Sequence, residues 1–207
     1  MITSDSSSLD EALKTLERDL TGDRSSIAAQ SGIPFAILRY APADEFRARR
    51  LLRLFAHSLE QQHHKRVAFV SLSKLVWRAV RESDGVDSLF ETEIQTGFNA
   101  AQVKEVTNII DGDPALNLSF GLAAQIMAQV EKLTPDLLFL VRTGALAPHI
   151  YRSSTLLHEL HELGLTTPTI LCYPGSAMIG TDLRFYDLPG GEGLGAYNYR
   201  VKIYGTN

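Results

Sequence analysis

Four short apolar runs limit what this chain can fold into. Residues 34–40 read Pro-Phe-Ala-Ile-Leu-Arg-Tyr, 66–72 read Arg-Val-Ala-Phe-Val-Ser-Leu, 136–142 read Asp-Leu-Leu-Phe-Leu-Val-Arg, and 168–173 read Pro-Thr-Ile-Leu-Cys-Tyr. The third barely alternates, as a strand buried on both faces should. Helical patterns separate the runs, and strand–helix–strand order predicts parallel strands with right-handed crossovers. The expectation is an α/β fold: a mostly parallel central sheet with helices on both faces.

The helical stretches follow from periodicity. Over residues 8–20, Leu9, Leu13, Leu16 and Leu20 form one stripe, and Ser8 with Glu11 makes a capping box. Residues 21–31 then read as a polar linker. The expected organisation is an N-terminal helix and linker over 1–31, then one α/β domain over 32–207. Pro42, Asp44 and Glu45 suit a helix start. That helix runs to about Gln62, with Phe46, Leu51, Leu52, Phe55 and Leu59 on its core face. A further helix carries Leu75, Val76, Ala79 and Val80. Residues 84–133 read as a helical segment, with candidates over Asp87–Phe98, Asn99–Ile110 and Leu118–Leu133. A helix from about Ser153 carries Leu156, Leu157, Leu160 and Leu163, and Gly164 suits the residue just past its end. Asp182–Asp187 and Tyr197–Tyr204 are expected to pair as a C-terminal antiparallel hairpin around the glycine-rich loop 189–195.

Composition adds bounds. At 44% hydrophobic and 21% charged, the chain has enough apolar residues for a sizeable core. Its one cysteine, Cys172, lies inside an apolar run, so an internal disulfide is impossible, which fits a reducing cytoplasm. No secretory signal and no membrane-spanning run is visible.

The net charge of −4 hides an asymmetry. Arg39, Arg47, Arg49, Arg50, Arg53, Lys65, Arg66, Lys74, Arg78 and Arg81 face only Asp44, Glu45 and Glu60 in the same stretch. Residues 82–113 reverse the balance, with eight acids against Lys104. A solvated helix face explains the basic run. A DNA-contacting role through 39–81 is the alternative, with Arg47, Arg50, Arg53, Lys74 and Arg78 as the candidate contacts.

Chemical motifs are mostly absent. A phosphate-binding loop would sit after the first strand, where the chain reads Tyr-Ala-Pro-Ala-Asp-Glu-Phe over 40–46. It lacks the glycines that turn backbone N–H groups inward and the lysine that meets phosphate, and its acids repel phosphate. The element order is like a RecA-type, P-loop-like core without the phosphate loop, an analogy that carries no activity. The glycines of 190–195 precede a strand, not a helix, and read as a hairpin loop. His158 and His161 are three apart, not the four of zinc-protease helices, so a surface role suits them, with His158 and Glu162 able to pair at i, i+4. His63 and His64 end a helix whose dipole suits them. No Ser-His-Asp arrangement stands out, and Ser71 and Ser73 serve as helix caps. No catalytic residue, metal site or cofactor is expected. Arg142-Thr143-Gly144 and Tyr173-Pro174-Gly175 both follow core strands, on the edge where α/β proteins bind ligands.

The last quarter narrows the reading. Leu-Cys-Tyr-Pro-Gly at 171–175, Asp-Leu-Arg-Phe-Tyr at 182–186 and Asn-Tyr-Arg-Val-Lys-Ile-Tyr at 198–204 together resemble BrxB, a family of bacteriophage-exclusion (BREX) defence systems. Tyr-x-Pro-x-x-Glu at 40–45 and the 136–142 strand agree with it. The resemblance implies a role in blocking phage replication, beside a DNA methyltransferase, an ATPase and the alkaline-phosphatase-like PglZ protein. It implies a cytoplasmic, non-enzymatic interaction subunit that docks PglZ, and it brings no catalytic residue. The expected docking surface combines the loops 142–149 and 173–181 with the hairpin, through Arg142, Tyr173, Gly175, Arg184, Asn198, Tyr199 and Arg200. An enzyme with an unrecognised site at the sheet's C-terminal edge stays open, as does a homodimer.

Overall fold

The computed structural model describes residues 5–22, 27, 33–82, 94, 121–146, 151–177, 183–186 and 201–205. Its sheet begins with β1 (Phe35–Tyr40), every residue of which is buried. The remaining strands are β2 (Val67–Ser71), β3 (Leu137–Val141), β4 (Thr169–Ala177), β5 (Leu183–Phe185) and β6 (Lys202–Tyr204). Five of them run in the order β2-β3-β4-β1-β6, all parallel. The register sets Phe35 against Thr169 and Tyr40 against Pro174 across β1 and β4. The four apolar runs thus form the four inner and leading strands that their pattern predicts.

Successive β1 residues point into two separate cores, as the two-residue period of a strand requires. Phe35 and Ile37 join Leu138, Leu140, Leu171 and Tyr173 on one face. Helices α3 (Leu72–Glu82), α4 (Leu122–Leu133) and α5 (Ser153–Glu162) cover that face. Ala36, Leu38 and Tyr40 join Phe139, Ile170 and Cys172 on the other. There the cover is α1 (Asp5–Thr21) and α2 (Glu45–His63). The α1 stripe is nearly sealed, with Leu9 1% and Leu16 0% exposed. Burying such leucines contributes about 2 kcal/mol each. The N-terminal helix therefore shares the sheet's own core. Gly164, just past α5, has φ +79 and sends its N–H to the His161 carbonyl, as expected for a helix end.

Three expectations need correction. The C-terminal hairpin does not form. β6 instead lies parallel to β1, pairing Ala36 with Lys202 and Leu38 with Tyr204. β5 pairs antiparallel with the far end of β4, Gly175 opposite Phe185 and Ala177 opposite Leu183. The reason lies in β1. A strand buried on both faces must satisfy the N–H and C=O groups of both its edges, and β4 meets only one of them. Second, Phe46 is 80% exposed, not part of the α2 core; the Arg49 guanidinium sits 5.3 Å from its ring centre. Third, α5 ends at Glu162, which leaves Leu163 half exposed. Of the 84–133 segment, α4 matches the last candidate, starting at Leu122. The candidates Asp87–Phe98 and Asn99–Ile110 lie outside the described residues.

Two anchors hold β6 in place. Buried Arg39 donates to the Gly205 carbonyl at 2.8 Å. Gly205 has φ +104, and a Cβ there would collide with the Arg39 carbonyl oxygen, so only glycine suits this approach. From α1, Asp19 accepts hydrogen bonds from Lys202 and, at 2.7 Å, from the Tyr204 hydroxyl. Partial burial opposes ionisation of Asp19, but these two donors win and hold its carboxyl below the usual range.

Candidate functional site

The carboxyl ends of parallel strands converge on one edge, where open α/β sheets bind ligands. In this chain that edge carries the ends of β1, β3 and β4 and the start of α2. A tight turn over Pro42–Asp44 swings the chain from β1 into α2, so that Glu45 returns toward Tyr40. The Tyr40 hydroxyl donates to Glu45 Oε2 at 2.7 Å, and Arg49 Nε donates to Glu45 Oε1 at 2.9 Å. One carboxylate is thereby tied at both oxygens. Burial raises the Tyr40 pKa far above the usual phenol range, with Cys172 and Glu45 adding to it. Tyr40 thus stays a proton donor to Glu45 at any ordinary pH.

The opposite wall comes from β3, β4 and β5. Thr143 donates from Oγ1 to the Cys172 carbonyl at 2.9 Å, which seats the turn after β3 against β4. Tyr186, which follows β5, bonds through its N–H to the Pro174 carbonyl at 2.9 Å. Its ring stands edge-on to Phe185, which in turn packs against Tyr173. A Cβ on Gly144 would lie 2.6 Å from the Tyr186 hydroxyl, so glycine makes room for that phenol. Burial and then the Glu45 charge push the Tyr186 pKa up. Burial and the same carboxylate push up that of Cys172, which keeps its thiol protonated and unreactive. The β1 edge is thus filled by the chain's own tyrosines, a clamped carboxylate and a guanidinium. The carboxylate stands where a phosphate cradle would need amide donors and a cation.

The expected docking residues divide sharply. Arg142 is exposed, directly after β3, with a left-handed backbone at φ +62, and its Nη1 lies 3.4 Å from Ser73 Oγ. Tyr173 does not reach the surface: it is 0% exposed, with its hydroxyl directed to the Leu183 carbonyl at 3.3 Å. Gly175 is buried within β4, opposite Phe185. Arg184 holds a place in β5 opposite Ser176. Asn198, Tyr199 and Arg200 lie outside the described residues. The Tyr40–Glu45–Arg49 knot was missing from the expected site. Its one signal was the Tyr-x-Pro-x-x-Glu spacing, whose two ends meet in space.

The basic segment is also divided. Arg47 is spent on α1, at 2.5 Å from Asp10. Arg50 and Arg53 are exposed on α2, over one face of the sheet. Lys74 and Arg78 are exposed on α3, over the opposite face. Arg66 is paired with Asp136 at the start of β3, at 3.2 Å. Among the described residues, no three His, Cys, Asp or Glu side chains gather to hold a metal. His158 and His161 are both exposed on α5, and Glu159 between them accepts from the Tyr151 hydroxyl at 2.5 Å.

Compared with known families, residues 68–203 match the BREX protein BrxB. The chain belongs to the BrxB family. The match takes in β2 through most of β6 and leaves out β1 and the Tyr40–Glu45 turn. Family membership makes the chain a component of a BREX defence system, with other BREX components as its partners. Comparison with curated proteins and with solved structures finds no match, and the RecA-type likeness stays an analogy of element order. No described helix is long and apolar enough to cross a membrane.

Proposed function

We propose that this BrxB chain is a binding subunit of its BREX system, without catalysis of its own, and that it docks the PglZ protein through the carboxyl edge of the sheet. The observation that carries the reading is the state of that edge. Glu45 is tied by Tyr40 and Arg49, the Cys172 thiol is held protonated, and Tyr186 fills the space over Gly144. Among the described residues, this edge holds no poised nucleophile or base and offers a preformed, rigid surface. Rigid surfaces bind well because little ordering entropy is lost on association. Arg142 stands at the rim of this surface. A non-glycine residue in the left-handed region costs about 1 kcal/mol or more, and such strain gathers at ligand-contacting positions.

Co-purification with PglZ tests the proposal. The chain is expected to retain PglZ, Arg142→Glu to weaken retention at least tenfold, and Arg184→Glu with Arg200→Glu to weaken it further. Full yield from both the single and the double variant removes this edge as the docking surface. Turnover of a nucleotide or ester by the purified chain, lost in Glu45→Gln, removes the non-enzymatic reading.

A further inference from the structure

On the outer side of α3, Lys74, Trp77, Arg78 and Arg81 fall at i, i+3, i+4 and i+7, the spacing of a single helix face. All four are exposed, and Trp77 is 65% so. An indole this open is unusual, since tryptophan is among the most buried residues on average. The inner side of the same helix accounts for its packing, through Leu72, Leu75 and Val76. Packing therefore does not explain Trp77. Charge adds a second, independent oddity. The chain as a whole is negative, yet this stripe carries three cations, and the only acid in the α3 sequence is its last residue, Glu82.

We infer that the outer face of α3 binds single-stranded nucleic acid. Each nucleotide of a single strand presents one flat π face and one negative charge. A lone indole with cations one, three and four residues away matches that alternation: a base stacks on Trp77 while neighbouring phosphates meet Lys74, Arg78 and Arg81. The stripe spans about 10 Å, which suits a short contact of a few nucleotides. A duplex hides its base faces and gains nothing from the indole. An acidic peptide offers charge without a stacking face. The surface adjoins the carboxyl edge only at its first turn, where Arg142 meets Ser73, and Trp77→Ala should leave PglZ retention unchanged, so either reading can fail while the other stands.

Trp77 is the chain's single tryptophan, so its emission reports on this face alone. Titration of the full chain with an oligothymidylate at about 50 mM salt is expected to quench that emission saturably. The affinity should fall with salt with a log–log slope of about −2 for three cations on a single strand. By anisotropy of a labelled oligothymidylate, Trp77→Ala is expected to weaken binding about tenfold. Lys74→Gln with Arg78→Gln should bring the slope down to about −0.7. Arg50→Gln with Arg53→Gln, on the other face of the sheet, should change neither. These side chains are exposed, so the variants keep the fold, which circular dichroism checks. Absence of quenching overturns the inference. So does equal binding by a duplex that is indifferent to Trp77→Ala, or equally tight binding of polyglutamate.

Discussion

The carboxyl edge of the sheet and the outer face of α3 use similar side chains to opposite ends. At the edge, Arg49 lies against Glu45, Tyr40 donates to the same carboxylate, and Tyr186 closes over Gly144. On α3, Trp77 and three cations point outward along a stripe that holds no acid before Glu82. The contrast teaches that a basic stretch of sequence is not a basic surface. Of the cations between Arg39 and Arg81, Arg39 secures the end of β6, Arg47 secures α1, Arg49 secures Glu45, and Arg66 secures the start of β3. Arg50, Arg53, Lys74 and Arg81 are exposed on helices, split between the two faces of the sheet, and Arg78 is exposed beside them with an interaction of its own.

The hardest test of this division is Glu45→Ala. It leaves a buried tyrosine hydroxyl and a half-buried guanidinium without their shared acceptor, and about 2–3 kcal/mol of stability should be lost in urea unfolding. Arg50→Ala, five residues away on the same helix, should cost less than about 0.5 kcal/mol. Equal effects at the two positions would erase the distinction between consumed and outward charges.

Next in size is Gly144→Ala, which should cost about 1–2 kcal/mol as the Tyr186 hydroxyl is forced away. With Tyr186→Phe in the background the clash eases, so a double-mutant cycle should show a coupling of at least about 0.5 kcal/mol. Additive effects would mean that Tyr186 does not close this edge. Gly205→Ala should cost a similar amount, about 1–3 kcal/mol, because it adds a Cβ at positive φ against the Arg39 carbonyl. The loss should appear first as faster amide exchange in β6, the strand it anchors.

The smallest effect concerns pH. The Asp19 carboxyl is held below its ordinary value in the folded chain, so the folded state binds its proton less readily than the unfolded state does. The contribution is complete above about pH 4 and is lost as pH falls through the lower folded-state value. Asp19→Asn should therefore flatten the acid limb of the stability curve below about pH 4, measured by thermal melts, and leave neutral-pH stability slightly reduced. Asp136, lowered by the side chain and the N–H of Arg66, predicts the same sign with a smaller size because that pair is more exposed.

Local pattern was enough for the layout of the core. The runs at 35–40, 67–71, 137–141 and 169–173 read as strands because they are too short for a helix, carry β-branched or aromatic residues and lie between helical periods. The leucine stripes of α1 and α5 placed those helices through their 3.6-residue period. The edge knot was half visible: Tyr-x-Pro-x-x-Glu stood in the sequence, but that its ends bond depends on the tight turn at Pro42. Trp77 was overlooked because an exposed and a buried tryptophan look alike within an amphipathic stretch.

Chain order determined the four core strands, the helix faces apart from Phe46 and the family, since these depend on neighbours within a few residues or on a linear match. Partnership across the molecule was settled elsewhere. The choice of β1 over β5 as the mate of β6, the consumption of Arg47 and Arg66, and the burial of Tyr173 all depend on which hydrogen-bonding edges and charges remain unsatisfied once the sheet is assembled. That demand arises only in three dimensions, because a strand pair sees its competitors only after every other strand has taken its place.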